Sequence, residues 1–191
     1  MKLVMLMLVA YLASAQNLLE VRVAQNKYRY ADWARTFKNN LVTDVFYIGV
    51  PGANELNFGL GRQFKLGKVT LVPAVYGVVA KETPKAGIKV GLLASFESDK
   101  WKGSFFAAHN KPLGDYPSYR FLDTLDMTRR LGSKKRWELG GSLGAFHSGS
   151  SWNPQLGPIV KLNDKDEKGQ WGFSLRFITG VEARIARLWF F

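Results

Sequence analysis

The end of the chain constrains the fold more than any other stretch. Apolar side chains recur there at alternate positions: Val181, Ala183, Ile185, Trp189 and Phe191. Side chains with a period of two lie on one face of a β-strand. Terminal residues usually fray in soluble proteins. An alternation that continues to the last residue therefore predicts that the chain closes on a paired strand of a sheet.

Arg187 disturbs this alternation, because it falls on the same face as Ile185 and Trp189. Two explanations are open. The long side chain can extend to a nearby polar boundary, or a β-bulge can reverse the alternation. In either case we expect Phe191 to be paired with a neighbouring strand.

The same alternation recurs along most of the chain, between short clusters rich in Gly, Pro, Asn, Asp and Lys. Twelve strand segments are predicted: 18–25, 27–36, 41–50, 55–63, 69–80, 88–97, 101–109, 119–131, 136–145, 155–163, 171–177 and 181–191. The second segment also fits one helical turn, and the last two segments are separate only if Thr179-Gly180 forms a turn. If either condition fails, ten strands is the fallback, and eight requires longer strands or loops. Pro73 predicts a local irregularity, and Asp123 falls on an otherwise apolar face.

The amino-terminus has the pattern of a secretory signal peptide over residues 1–15. Lys2 is followed by an apolar run from Leu3 to Leu12 and by Ala13-Ser14-Ala15, which resembles a cleavage site. The apolar run is too short to cross a bilayer as a helix. We therefore expect residues 16–191 to form one domain. The chain contains no cysteine, which excludes disulfides and thiolate sites.

The chain is strongly basic, with a formal charge of +12. Such a charge favours anionic partners, such as lipid head groups, lipopolysaccharide phosphates or acidic solutes. The predicted export of the chain argues against nucleic acid as its ordinary partner. The alternative is that many basic residues lie in turns and at membrane–water boundaries.

Alternation alone also fits a soluble periplasmic barrel. Three features favour a membrane barrel: aromatic residues at strand ends, polar residues on the opposite faces, and segments long enough to cross the hydrocarbon.

The ending Trp-x-Phe resembles Gram-negative outer-membrane β-barrels, whose last strand commonly ends on Phe and is recognised by the assembly machinery. The resemblance implies an all-β fold: a single closed antiparallel transmembrane β-barrel, an up-and-down meander of about twelve strands with both termini on the periplasmic side. Tight turns at 65–68, 98–100 and 132–135 fit that side, and outer loops are expected at 51–53, 82–87, 110–118 and 148–154.

The polar faces of the strands supply the candidate pore-lining residues: Lys89, Lys102, Arg120, Asp126, Arg130, Arg136, Glu138, Lys161, Arg176 and Arg184. In the larger predicted inward set, which also contains Glu55, Glu97 and Glu182, cations outnumber acids. An excess of cations on a pore wall favours anions. Alternatively, these residues pair across a narrow lumen and plug it.

An alternative function is an outer-membrane lipid-modifying hydrolase. His147 precedes Ser148 and Ser150, so a base lies near candidate nucleophiles, but no orienting acid is evident. The simpler interpretation of this stretch is a histidine in a loop beside serines of a turn, without a catalytic role. We predict no metal or other cofactor.

The leading hypothesis is a small passive channel with a porin-like role and some preference for anions. A plugged structural or adhesive barrel is the third alternative. Expected partners are outer-membrane lipid and lipopolysaccharide, small solutes, and the barrel-assembly machinery through Val181–Phe191.

Overall fold

The alternating segments form β-strands almost throughout the part of the chain that the computed structural model describes, namely residues 16–25, 27–50, 53–82, 85–132, 136–148, 151–177 and 181–191. No helix in those ranges is long and apolar enough to cross a membrane. The strands are β1 (Gln16–Ala24), β2 (Arg29–Thr36), β3 (Leu41–Val50), β4 (Ala53–Arg62), β5 (Phe64–Leu66), β6 (Val69–Ala80), β7 (Ala86–Glu97), β8 (Trp101–Pro112), β9 (Tyr119–Leu131), β10 (Trp137–Ser148), β11 (Ser151–Asn163), β12 (Gly169–Arg176) and β13 (Glu182–Phe190). The predicted signal peptide and the turn expected at Gly180 lie outside the described residues.

Twelve of these strands close into an antiparallel barrel in meander order, as predicted. β1 pairs with β13, and β4 pairs with β6 to complete the ring. The segment from Arg29 to Thr36 is a strand rather than a helical turn. Both chain ends of the barrel, Gln16 and Phe191, lie at one end, which we call the terminal end. The last residues of β6 and β8, Ala80 and Pro112, lie at the other, the distal end.

The closing strand is paired up to the last residue. The backbone amide of Phe191 donates to Asn17 O at 3.0 Å, and the amide of Asn17 donates to Phe191 O at 3.1 Å. β13 also pairs with β12 from Gly169↔Trp189 to Arg176↔Glu182. The expectation of a paired terminal strand is therefore confirmed.

Arg187 lies on the outer face, and no bulge shifts its register. Its guanidinium donates to Asp164 in the adjacent turn at 2.9 and 2.5 Å. The same group lies 5.0 Å from the Trp171 ring and 5.3 Å from the Trp189 ring. The first explanation is correct: Arg187 reaches a polar boundary at the terminal end.

Tryptophan residues mark that boundary around the outer surface. Strand pairing places Trp101, Trp137, Trp171, Trp189 and Trp33 in a belt at the terminal end. Further along the strands the outer face exposes aliphatic and Phe side chains. This is the pattern of a lipid-facing band bordered by interfacial aromatic residues.

The predicted irregularity at Pro73 is a gap in the ladder. β6 pairs with β4 up to Gly61↔Ala74 and with β5 from Phe64↔Leu71. Between these pairs, the amide of Gln63 donates to Asn40 O, on the β3 side, at 2.8 Å. Because proline has no amide hydrogen, the hairpin opens opposite Pro73.

A β-bulge in β9 changes which side chains face the lumen. The register with β8 shifts between Phe106 and Ala107, which leaves Asp123 as the extra residue. The bulge turns Asp123 inward and reverses the alternation beyond it. Tyr119 and Phe121 therefore face the lumen, and Arg120 faces outward, where it is exposed. The prediction that Arg120 lines a pore is wrong for this reason.

One side of the lumen is filled by aromatic rings, which we call the aromatic wall: Tyr30, Phe46, Tyr76, Phe106 and Phe121. Phe46 lies 5.2 Å from Tyr76 and 5.6 Å from Phe106, with the rings edge to face. The Tyr76 ring lies directly over Gly59, where a Cβ atom would come within 2.2 Å of the ring.

Candidate functional site

The inner face of the barrel is identified by contacts between strands that are not neighbours. Arg22 on β1 donates to the carboxylate of Asp123 on β9. Tyr28, in the turn after β1, donates to the same carboxylate at 3.2 Å. These hydrogen bonds cross the lumen. Alternate residues such as Val21 and Val23 are exposed on the outside.

Three guanidinium groups form an arginine cluster on this inner face: Arg22, Arg176 and Arg184. Two of them are neutralised by carboxylates. Arg22 donates to Glu20 at 2.6 and 2.7 Å as well as to Asp123. Arg184 donates to Glu182 and lies 3.4 Å from Asp123. Asp123 thus connects two arginines.

Arg176 differs from the other two members of the cluster. It is 3% exposed, and its hydrogen bonds go to Ser142 Oγ, at 2.8 and 3.2 Å. Within the described ranges, no carboxylate lies within ion-pair distance of it. Gly144 leaves room for this guanidinium, since a Cβ atom there would lie 2.8 Å from Arg176 Nη1. A guanidinium has five N–H donors, so donors remain for an anion.

A second polar layer lies nearer the terminal end and is centred on Glu138. This buried carboxylate accepts from Thr128 and Asn163, both at 2.9 Å, and lies 3.4 Å from Lys102 Nζ. Lys161 pairs with Asp126 at 3.0 Å. These groups are neutralised locally by pairs on nearby strands.

The remaining predicted pore-lining residues lie on the inner face or at its rim. Arg130 donates to Glu97 and to Ser98 O, and Arg136 donates to Asn163 O at 3.2 Å. The inward or rim set is Lys89, Lys102, Asp126, Arg130, Arg136, Glu138, Lys161, Arg176 and Arg184. That these residues line a conducting pathway stays a prediction.

Lys89 joins the charged groups to the aromatic wall. Its ammonium is fully buried and donates to Glu55 at 2.9 Å. It also lies 5.3 Å from the Phe46 ring and 5.0 Å from the Phe121 ring, within cation–π range. Tyr119 donates to the same Glu55 carboxylate. Lys89 is therefore both paired and enclosed.

Two cavities lined by described residues lie in the lumen. The distal cavity has a volume of about 480 Å³, and Tyr28, Tyr119, Phe121 and Phe146 contribute to its lining. The terminal cavity has a volume of about 310 Å³. Arg176 and Arg184 line both cavities. The arginine cluster consequently lies where the two halves of the lumen meet.

The lumen does not carry the basic excess of the chain. The inward cations are Arg22, Lys89, Lys102, Arg130, Lys161, Arg176 and Arg184. The inward acids are at least as numerous: Glu20, Asp32, Asp44, Glu55, Glu97, Asp123, Asp126, Glu138 and Glu182. Among the described residues, the basic excess of the chain therefore lies mainly in turns and on the outer rims. Any preference for anions must come from the position of individual charges.

Sequence reasoning missed Arg22 and Asp123 as members of the site. The alternation of Arg22 with Val21 and Val23 was a usable signal for its inward position. For Asp123 the sequence showed only a charged residue on an otherwise apolar face, because a bulge has no fixed sequence signature. The lumenal acid Asp44, which accepts from Tyr76 at 2.7 Å, was hidden in a strand apolar on both faces.

His147 lies on the outer face of β10, where its ring is 5.7 Å from that of Trp152. Among the described residues, no carboxylate is hydrogen-bonded to His147. Ser150 lies outside the described residues, and the side chain of Ser148 is likewise not described. Nor do the described ranges contain three or more grouped His, Asp or Glu side chains able to hold a metal ion.

No protein-family profile matches the sequence, and no curated protein is similar enough to count as a relative. Solved structures do match the fold. The KdgM porin is 12% identical with a TM-score of 0.59, and the KdgM porin in complex with disordered oligogalacturonate is 11% identical with a TM-score of 0.60. The NanC porin is 7% identical with a TM-score of 0.60. Each match covers 92% of this chain and 99% of the other. The chain thus has the barrel fold of outer-membrane porins.

Proposed function

We propose that this protein is a porin-like passive channel for small anionic solutes. The observation that carries the proposal is the position of Arg176. It is a buried guanidinium without a carboxylate partner in the described residues, and it lines the distal as well as the terminal cavity. A solute that passes from one cavity to the other passes this group.

Barrel size is compatible with a narrow channel. Eight strands enclose an interior just wide enough for side chains, whereas barrels of about sixteen strands leave an aqueous channel. A barrel of twelve strands falls between these cases. The aromatic wall fills one side of this lumen, and the pathway runs beside the arginine cluster.

The expected preference for anions follows from local pairing rather than from net charge. Glu20, Asp123 and Glu182 are each bonded to Arg22 or Arg184. Arg176 instead keeps donors that an anionic solute can accept. A fixed guanidinium in a confined space attracts anions and binds carboxylates through two parallel hydrogen bonds.

Acidic sugars are the solutes we would test first. One similar structure is the KdgM porin in complex with oligogalacturonate. The distal cavity of this chain combines the rings of Tyr119 and Phe146 with the amides of Asn110, Asn153 and Gln155. Rings that stack on a sugar, amides that bond hydroxyls and a guanidinium that bonds a carboxylate suit this class.

The channel proposal implies a location and partners. We propose that residues 1–15 are a cleaved signal peptide, that residues 16–191 form the barrel, and that the barrel lies in the outer membrane among lipid and lipopolysaccharide. The paired, aromatic closing strand from Val181 to Phe191 would be the segment recognised by the barrel-assembly machinery.

The proposal is tested by uptake into liposomes that contain the folded protein. We expect oligogalacturonate to enter faster than a neutral oligosaccharide of similar size. Arg176→Gln should lower the uptake ratio of acidic to neutral solute by about tenfold, the effect of losing one charged contact. Arg29→Gln, an exposed cation on the outer face, is the matched control and should leave the ratio unchanged. No uptake of either solute by folded protein would support a plugged barrel and refute the channel.

A further inference from the structure

Polar side chains form a row on the outer face near the distal end, where the lipid-facing band should end. Strand pairing aligns His109 with Arg120, Arg120 with His147, and His147 with Trp152. Arg120 Nε donates to His109 Nδ1 at 3.4 Å. Lys111 lies two residues beyond His109 on the same face and is exposed. We call His109, Lys111, Arg120 and His147 the basic row.

The basic row has no acidic partner in the described part of the chain. None of its members belongs to an ion pair there. Its neighbours on β7 are apolar, since Ile88 pairs with Lys111 and Val90 pairs with His109. By contrast, Arg187 at the other boundary is neutralised by Asp164. A cation on a lipid-facing surface is costly unless an anion compensates it.

The height of the row matches a membrane interface. Trp137 lies in the tryptophan belt at the terminal end, and His147 lies on the same strand near the distal end. At about 3.3 Å per residue and a tilt of about 40°, the ten-residue separation spans roughly 25 Å along the membrane normal. This equals the usual height of the apolar band of such barrels. Trp152, beside His147, is the aromatic residue expected at that level.

We propose that the basic row binds the phosphate groups of a phosphorylated glycolipid in the outer leaflet. The fork of N–H donors on Arg120 fits two phosphate oxygens, and Lys111 adds a second fixed charge nearby. The histidines supply further donors, and Trp152 packs at the level of the glycolipid's sugar groups. The β9 bulge is the cause of this site, because it turns Arg120 out of the lumen.

The proposed site rests on the orientation in the proposed function, in which the distal end faces the outer leaflet. It does not depend on whether the barrel conducts. Arg29 provides an internal comparison, because it is an exposed arginine on the outer face at the same end. Its paired neighbours are Val23 and Gly49, neither of which is charged. Arg29 therefore has the same charge as Arg120 but lacks basic residues paired beside it.

The experiment measures binding of lipid A to the folded protein in detergent by native mass spectrometry. Bisphosphorylated lipid A should bind, and dephosphorylated lipid A should bind at least about tenfold more weakly, as expected for losing charged hydrogen bonds. Arg120→Gln should weaken binding of bisphosphorylated lipid A about tenfold or more, and Arg29→Gln less than twofold. Heat-modifiable gel mobility verifies that each variant is folded.

Three results would overturn the proposal. Equal affinity for the two forms of lipid A would show that phosphate is not recognised. Equal effects of Arg120→Gln and Arg29→Gln would show attraction by net charge alone. Displacement of lipid A by millimolar inorganic phosphate would assign the row to free phosphate instead of lipid. Because binding is measured without solute transport, failure of the channel proposal leaves this test unaffected.

Discussion

Asp123, the extra residue of the β9 bulge, links two opposite walls of the lumen. Its carboxylate accepts from Arg22 and Tyr28 and pairs with Arg184 at 3.4 Å. A buried carboxylate between two guanidinium groups neutralises charge that would otherwise face the solute pathway. At the residue scale, the proposed channel therefore assigns opposite roles to two residues: Asp123 restrains anion attraction and Arg176 provides it.

Asp123→Asn should therefore increase the preference of the channel for anions. The amide keeps a hydrogen-bonding oxygen but leaves Arg22 and Arg184 less neutralised. We expect the chloride-to-potassium permeability ratio to rise severalfold and thermal stability to fall. Asp115→Asn, which removes an exposed loop carboxylate at the distal end, is the control. An unchanged ratio in folded Asp123→Asn would contradict the role assigned to this carboxylate.

Asp164 makes the stability of the terminal boundary dependent on pH. Hydrogen bonds from Arg187 lower the pKa of Asp164 below its usual value. A lowered folded-state pKa stabilises the fold above the unfolded-state pKa, and this contribution is lost as the pH falls through the folded-state pKa. Urea midpoints of wild-type protein and Asp164→Asn should thus differ at neutral pH and converge in acid. A difference between wild-type protein and Asp164→Asn that stays constant from neutral to acid pH would refute the linkage.

At the scale of elements, the alternation of the strands predicted most inner and outer faces correctly. It placed Glu182 and Arg184 inside and Ile185 outside, because a period of two needs only local sequence. It failed at β9, because one extra residue reverses every position on one side of it. Arg120 and Tyr119 were exchanged between faces for that reason alone.

The aromatic wall depends on close contact between β4 and β6. Gly59→Ala would place a methyl group within 2.2 Å of the Tyr76 ring and should destabilise the barrel by about 1–3 kcal/mol through overpacking. Gly77→Ala is the matched control, because a Cβ atom there meets nothing within 4 Å. The temperature at which the folded gel band converts to the unfolded band should fall for Gly59→Ala and stay unchanged for Gly77→Ala. Equal temperatures for both variants would show that the ring can move aside.

At the scale of the whole molecule, charge is sorted between surfaces rather than spread evenly. Among the described residues, the inward acids outnumber the inward cations, and the basic excess lies on turns and rims. Composition predicted an affinity for anions but not where that affinity resides. Pairing across the barrel, as between Arg22 and Asp123, depends on strands far apart in sequence, so no local pattern contains it.

The central claim is that Arg176 makes the lumen an anion-preferring pathway. The most direct measurement is the reversal potential of the folded protein in a planar bilayer under a gradient of potassium chloride. We expect the folded protein to conduct with a reversal potential of the sign that shows chloride to be more permeant than potassium. In Arg176→Gln the reversal potential should shift towards zero. Absence of conductance, or a reversal potential of the opposite sign in the wild-type protein, would contradict this claim.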